Sequence, residues 1–150
     1  MSQKFLIIQS QFNSLVTKEL RAGAKEALLS HGVDAADVME VQVPGCLEIG
    51  VVAKHAAESG KFAAIIAVGC IIRGETSHFE VVRDQSAHAL TMLSMQSGIV
   101  IGNAILACEN SEQALARCGL KGGNKGSEAA AAALATLNVC ARFQEKRTKK

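Results

Sequence analysis

The segment Gly74-Glu75-Thr76-Ser77-His78-Phe79 combines residue types that can bind an anion and move a proton beside it. The apolar run Ala63 to Ile72 before it reads as a buried strand, and a helical pattern begins near His78. A strand passing through a glycine-containing turn into a helix leaves backbone N–H groups aimed at one spot. The positive end of the helix dipole strengthens their hold on an anion such as phosphate. A histidine at the mouth of such a site can transfer protons near neutral pH. The pair points to an enzyme acting on a small phosphorylated molecule. A lone histidine at a helix start also serves as a cap or surface residue, and that reading stands beside the catalytic one. His31, His55 and His88 have no comparable surroundings.

Other residues fit the same chemistry. Glu48 near a helix start is stabilised by the dipole, or it accepts hydrogen bonds from polyol hydroxyls. Phe12, between Gln11 and Asn13, either stacks on a flat ring or anchors its loop. Asn13 either contacts a ligand or caps the first helix. From Arg117 to Gly126, three cations stand among four glycines, a composition that lets backbone approach a phosphate or a polar ring. It is not a P-loop, since Asn124, not glycine, precedes Lys125.

Alternating elements must position these groups. Lys4 to Gln9 reads as a strand and Leu15 to His31 as an amphipathic helix closed by Gly32. Val38 to Val43 reads as a second strand, broken by Pro44-Gly45, and Leu47 to Ser59 as a helix ended by Gly60. Phe62 to Ile72 is a third strand, and His78 to Ser97 a helix stopped by Gly98. Ile99 to Ala107 is a fourth strand, Ser111 to Arg117 a short helix, and Glu128 to Glu145 a long one. This rhythm predicts an α/β three-layer sandwich, a four-stranded, mainly parallel sheet flanked by helices on both faces. Ligands of such sheets gather at the carboxyl ends of the strands. The segments at 11–13, 44–48 and 73–78 all fall at that edge. The alanines from 129 to 133 allow close approach, either to the chain's own sheet or to another subunit.

Composition excludes several classes. At 150 residues the chain is most simply one domain, 1–150. With 49% hydrophobic and 20% charged residues it is globular, not disordered. No apolar run is long enough to span a bilayer, and a net charge of +2 is too small to argue for nucleic acid. The five cysteines are scattered without a C-x-x-C pair. Free thiols in a reducing cytoplasm, with no metal site, are the expectation. The basic tail (Lys146, Arg147, Lys149, Lys150) reads as a complement to a helix C-terminus or a frayed end.

Four segments in register give the chain a resemblance to the lumazine synthase family from Phe5 to about Phe143. They are Gln11-Phe12-Asn13, Val43 to Ile49, Gly69 to Phe79, and Glu112 through Gly126. The resemblance implies condensation of 5-amino-6-(D-ribitylamino)uracil with L-3,4-dihydroxy-2-butanone 4-phosphate, without cofactor. It further implies a homopentamer, or a shell of twelve pentamers, with active sites shared between subunits, and riboflavin synthase as a further partner. Phe12 would stack on the pyrimidine, while Asn13, Cys46 and Glu48, with Leu47 in the same segment, would hold the ribityl chain. Ile71 and Ile72 would bind the uracil through backbone atoms. Gly74, Glu75 and Thr76 would cradle the phosphate, and His78 would serve as acid and base. Arg117 would reach that phosphate from the next subunit, with Lys121 and Lys125 lining the pyrimidine side. Asn103 stands where an aromatic of the neighbouring subunit often covers the pyrimidine. Cys46 replaces the usual Ala or Ser, and Asp84-Gln85 the common Asn-Glu. Two other readings stay open: a paralogue that dismutates two lumazines to riboflavin, and a flavin-binding shell without catalysis. The phosphate cradle with Arg117 speaks against the first, and retained His78, Arg117 and Lys125 against the second.

Overall fold

The computed structural model describes residues 2–148, with side chains as far as Gln144. Four strands form one sheet in the order β2-β1-β3-β4: β1 (Phe5–Ser10), β2 (Val38–Val43), β3 (Ala64–Ile72) and β4 (Val100–Cys108). Every pairing is parallel. The connections are α1 (Ser14–Ser30), α2 (Cys46–Ser59), α3 (His78–Ser97), the short α4 (Ser111–Leu115) and α5 (Lys125–Thr148). The predicted three-layer sandwich is the observed one. An additional 3-10 turn at Ala35–Asp37 leads into β2. Among the described residues no helix is long and apolar enough to cross a membrane.

The two central strands explain the layers. Successive strand side chains point to opposite faces. Phe5 and Ile7 of β1, with Ile66, Val68 and Cys70 of β3, pack beneath α1 and α5. Leu6 and Ile8, with Ile65, Ala67 and Ile71, pack beneath α2 and α3. Both strands are therefore buried on both faces and read as continuous apolar runs. Each fully buried isoleucine contributes about 1.5–3 kcal/mol. Edge strand β4 instead buries only alternate residues. Gly60 and Gly98 end α2 and α3 in left-handed conformations that a side chain would strain.

Helix α5 starts one turn before the expected Glu128. Asn124 causes this. Its Oδ1 accepts from the Ser127 N–H at 3.1 Å, the side-chain bond of a helix N-cap. Its Nδ2 donates to the carbonyls of Glu19 and Cys118, both at 2.9 Å, so the same amide ties α1 to the preceding loop. The glycines of this stretch, expected to admit a ligand, partly admit helix α1 instead: a β-carbon on Gly126 would collide with the Leu20 carbonyl. Gly23 of α1 is likewise filled by the Asn124 side chain. The alanine run packs on its own sheet and on α1, with Ala129, Ala130 and Ala133 in the core. A β-carbon on Gly102 of β4 would lie 2.5 Å from the Ala129 carbonyl oxygen. The side chains of the basic tail (Lys146, Arg147, Lys149, Lys150) lie outside the described residues.

This contact should be costly to disturb. Gly126→Ala forces α5 away from α1 and is expected to destabilise by about 2–3 kcal/mol, and Asn124→Ala by about 2 kcal/mol. Thermal unfolding followed by circular dichroism should show Tm falling by about 4–10 °C. A Tm within a degree of the parent for Gly126→Ala would mean that the two helices do not touch there.

Candidate active site

Three loops leave the carboxyl edge of the sheet side by side, and the first is bonded to the second and to strand β3. In the first, the Gln11 N–H donates to the Val43 carbonyl at 2.8 Å and the Phe12 N–H to the Pro44 carbonyl at 3.2 Å. Asn13 sits in the left-handed region (φ 59, ψ 48), which Asn tolerates better than most residues. Its backbone carbonyl accepts from Val16 and Thr17, starting α1, but its side chain makes no cap. The Nδ2 donates instead to the Cys70 carbonyl at 2.8 Å, fixing the first loop to β3. The Phe12 ring is 72% exposed at the rim. A loop anchor would be buried, so this ring is presented and not packed.

The second loop supplies Cys46, Leu47 and Glu48 from the start of α2. Cys46 is buried, and its thiol donates to the Ser10 hydroxyl at 3.7 Å. Its sulfur fits because Gly69 lacks a side chain: a β-carbon there would lie 2.5 Å from it. Burial pushes the Cys46 thiol up, so it is a neutral group in the cleft. Glu48 stands in the first turn of α2, where the dipole favours a carboxylate, and its Oε2 lies 3.2 Å from where a β-carbon on Gly45 would be.

The third loop, residues 74–77, joins β3 to α3. The His78 N–H donates to the Thr76 hydroxyl at 3.3 Å. The backbone N–H groups of Gly74, Glu75, Thr76 and Ser77 have no protein acceptor among the described residues. No side chain caps α3. Exposed unpaired donors at a helix start are an anion-binding arrangement, and the exposed His78 ring stands beside them. Phe79 is buried behind His78. Arg73 lies over its ring at 4.4 Å and Arg83 at 5.5 Å. Arg73 also pairs with Glu109 at 2.6 Å and with Glu80. Glu109 and then Glu80 hold the Arg73 guanidinium above its ordinary value, and Arg73 holds the Glu80 carboxyl below the usual carboxylate range.

Between the loops lies a cleft of about 360 Å³. Of the residues singled out from sequence, Phe12 and Asn13 line it from the first loop, and Cys46, Leu47 and Glu48 from the second. Ile71, Ile72, Gly74, Thr76 and His78 line it from β3 and the third loop. Glu75 is exposed on that loop but does not line the cleft. Asn103, Arg117, Lys121 and Lys125 also lie outside it. Asn103 accepts from the Ile105 N–H at 2.9 Å on its own strand. Arg117 donates to the Gln113 carbonyl at 2.9 Å, and Lys125 pairs with Glu128 at 3.2 Å. Sequence reasoning missed Gly45, Cys70, Phe79 and Val82 as wall residues. For the last two a signal existed: they stand three apart and begin the apolar stripe of α3.

Comparison with known proteins identifies the family. Residues 2–141 match the family described as 6,7-dimethyl-8-ribityllumazine synthase. Similar proteins include the 6,7-dimethyl-8-ribityllumazine synthase of Nitratidesulfovibrio vulgaris strain DP4, 43% identical over 136 residues, 91% of this chain and 87% of the relative. That of strain Miyazaki F is 42% identical over the same shares.

The thiols give this edge a measurable signature. Cys46, Cys70, Cys108 and Cys118 are buried and Cys140 is exposed. Iodoacetamide near pH 8 should therefore label Cys140 alone until the protein is denatured, as read by mass spectrometry. Burial, then the neighbouring Cys108, pushes the Cys70 thiol from 9.0 up to about 12. Above the ordinary thiol value the unfolded chain sheds a proton that the folded chain keeps. Stability should thus be intact below pH 9 and fall as pH rises toward about 12. Urea midpoints that stay level across that window would contradict the assignment.

Proposed function

The chain belongs to the 6,7-dimethyl-8-ribityllumazine synthase family, and from that premise we propose that the cleft at the sheet edge is where its two substrates meet. The chain is a transferase of riboflavin biosynthesis that makes 6,7-dimethyl-8-ribityllumazine. In our reading it joins 5-amino-6-(D-ribitylamino)uracil to L-3,4-dihydroxy-2-butanone 4-phosphate. The observation that carries the site is the convergence of an exposed ring, unpaired backbone donors and a histidine on one cleft.

In this proposal the pyrimidine stacks on Phe12, with the ribityl chain along Asn13, Cys46, Leu47 and Glu48. The raised thiol of Cys46 suits this role, since a neutral S–H does not repel a neighbouring carboxylate. The phosphate rests on the N–H groups of the 74–77 loop. The 5-amino group attacks the ketone and water leaves, giving an imine. Loss of a proton from the adjacent carbon expels phosphate, the enol ketonises, and the ribityl-bearing nitrogen attacks the new carbonyl, closing the ring as a second water leaves. His78, exposed at the cleft, moves these protons. Proton transfer of this kind contributes about 10²–10⁴-fold, and holding two reactants in place can contribute more.

We also propose that a neighbouring copy completes the site. Arg117, Lys121 and Lys125 are exposed and outside their own chain's cleft, so they are available to another subunit's phosphate and pyrimidine. Exposed Val81, Met92 and Met95 on α3 support a face covered by a second copy. A head-to-tail arrangement of this kind closes into a ring, and the family resemblance gives that ring five members. Light scattering separates a pentamer from a shell. The unpaired cysteines accord with a reducing, cytoplasmic compartment.

Lumazine formation, followed by absorbance against the uncatalysed mixture, tests the reading. His78→Ala should slow turnover by about 10²-fold without abolishing it. Arg117→Ala should raise KM for the phosphorylated substrate more severely. Co-refolding the two variants in equal amounts should restore about a quarter of the sites, because intact Arg117 and intact His78 then meet across an interface. A mixture no more active than its components would remove the shared site.

A further inference from the structure

Arg73 belongs to the motif that leads into the anion-binding loop, yet no step of the reaction has used it. Its N–H donates to the Cys108 carbonyl at 2.9 Å, so its backbone is held to β4. Its guanidinium makes contacts in three directions. Nε and Nη2 grip Glu109 at 2.6 and 3.4 Å, Nη1 binds the Glu80 carboxylate, and Cζ lies 4.4 Å from the centre of the Phe79 ring. Arg73 stands just before the 74–77 loop, and Phe79 and Glu80 just after it, in the first turn of α3. One side chain thus bridges both ends of the loop. Inside the loop the hydrogen bond from the His78 N–H to Thr76 is a long one, at 3.3 Å, so the loop's shape is set chiefly from its ends.

Charge gives the clamp a second task. Glu80 is an acid in the first turn of the helix that faces the anion. Its Oε2 is buried without a hydrogen-bond partner, and Arg73, through the other oxygen, is the chief group that compensates its charge, ahead of a backbone hydrogen bond and Arg83. Arg83 pairs with Asp84 at 2.8 Å and adds only a weaker, longer-range attraction to Glu80 from across the Phe79 ring. We propose that Arg73 is a positioning residue for phosphate binding: it fixes the two ends of the 74–77 loop and neutralises Glu80 beside the anion. The proposal rests on the reading of the cleft given above. Lysine cannot reproduce it, because an ammonium lacks both the planar fork and the stacking face.

Steady-state kinetics on the intact protein, with inorganic phosphate as a competitive probe of the loop, test this. Arg73→Met should raise the phosphate inhibition constant and the KM for the butanone phosphate by about tenfold. The KM for the ribitylaminouracil should stay within about twofold. Adding Glu80→Gln to Arg73→Met should recover the part of the phosphate affinity lost to the bare Glu80 charge, about threefold of the tenfold, which a purely structural role would not allow. If Arg73→Met does not fold, Arg73→Lys carries the test, with the same selective rise of about threefold. An unchanged inhibition constant, or both KM values rising together without rescue by Glu80→Gln, overturns the proposal. Phe12→Ala separates the two failures. If it raises the KM for the ribitylaminouracil while Arg73→Met is silent, only the clamp falls. If Phe12→Ala is also silent, the cleft is not the site and the clamp falls with it.

Discussion

Because β1 and β3 lie between two helix layers, both of their faces must be apolar, and no side chain in their middles is free for chemistry. Parallel pairing then sends every strand end toward the same edge. The burial that makes the sheet stable thus also gathers the polar loops at 11–13, 44–48 and 73–78. Three hydrogen bonds complete the arrangement: Gln11 to Val43, Phe12 to Pro44, and Asn13 to Cys70. They attach the first loop to the second and to strand β3, so the cleft is held by strand ends and not by flexible loops alone.

The same constraint explains how much could be read in advance. Strand and helix limits were legible to within a residue or two where a glycine ends the helix, as at Gly60 and Gly98, or where apolar runs are uninterrupted. They were not legible at α5, where a single Asn124 caps the helix and bridges to α1. An asparagine between glycine and lysine resembles loop chemistry in one dimension, and only the fold brings Glu19 to it. The 3-10 turn at Ala35–Asp37 carries no periodicity and was missed for that reason.

For the site, sequence reasoning identified the edge and most of the cleft lining but could not say which groups one chain assembles. Arg117, Lys121 and Lys125 belong to the same motif pattern as His78, yet they lie outside the cleft, with Arg117 bonded to Gln113 and Lys125 paired with Glu128. Motif spacing does not record which of its residues the fold brings to one cleft. Phe79 and Arg73 were hidden in a different way. Each looks structural locally, and the Arg73 guanidinium that stacks on Phe79 is held in place by Glu109, 36 residues from Arg73 along the chain.

Stability and activity set opposing requirements at this edge. The Phe12 ring, 72% exposed, forgoes burial that a phenylalanine would otherwise gain, about 1.5–3 kcal/mol. The unpaired N–H groups of the 74–77 loop likewise forgo hydrogen bonds. Neither feature helps the isolated chain fold. Both are tolerated because the ends of the loop are fixed by ion pairs and stacking, and because the core beneath is apolar on both sides. The chain thus keeps its exposed ring and its unpaired donors at the mouth of a cleft whose floor is rigid, where both stay open to solvent.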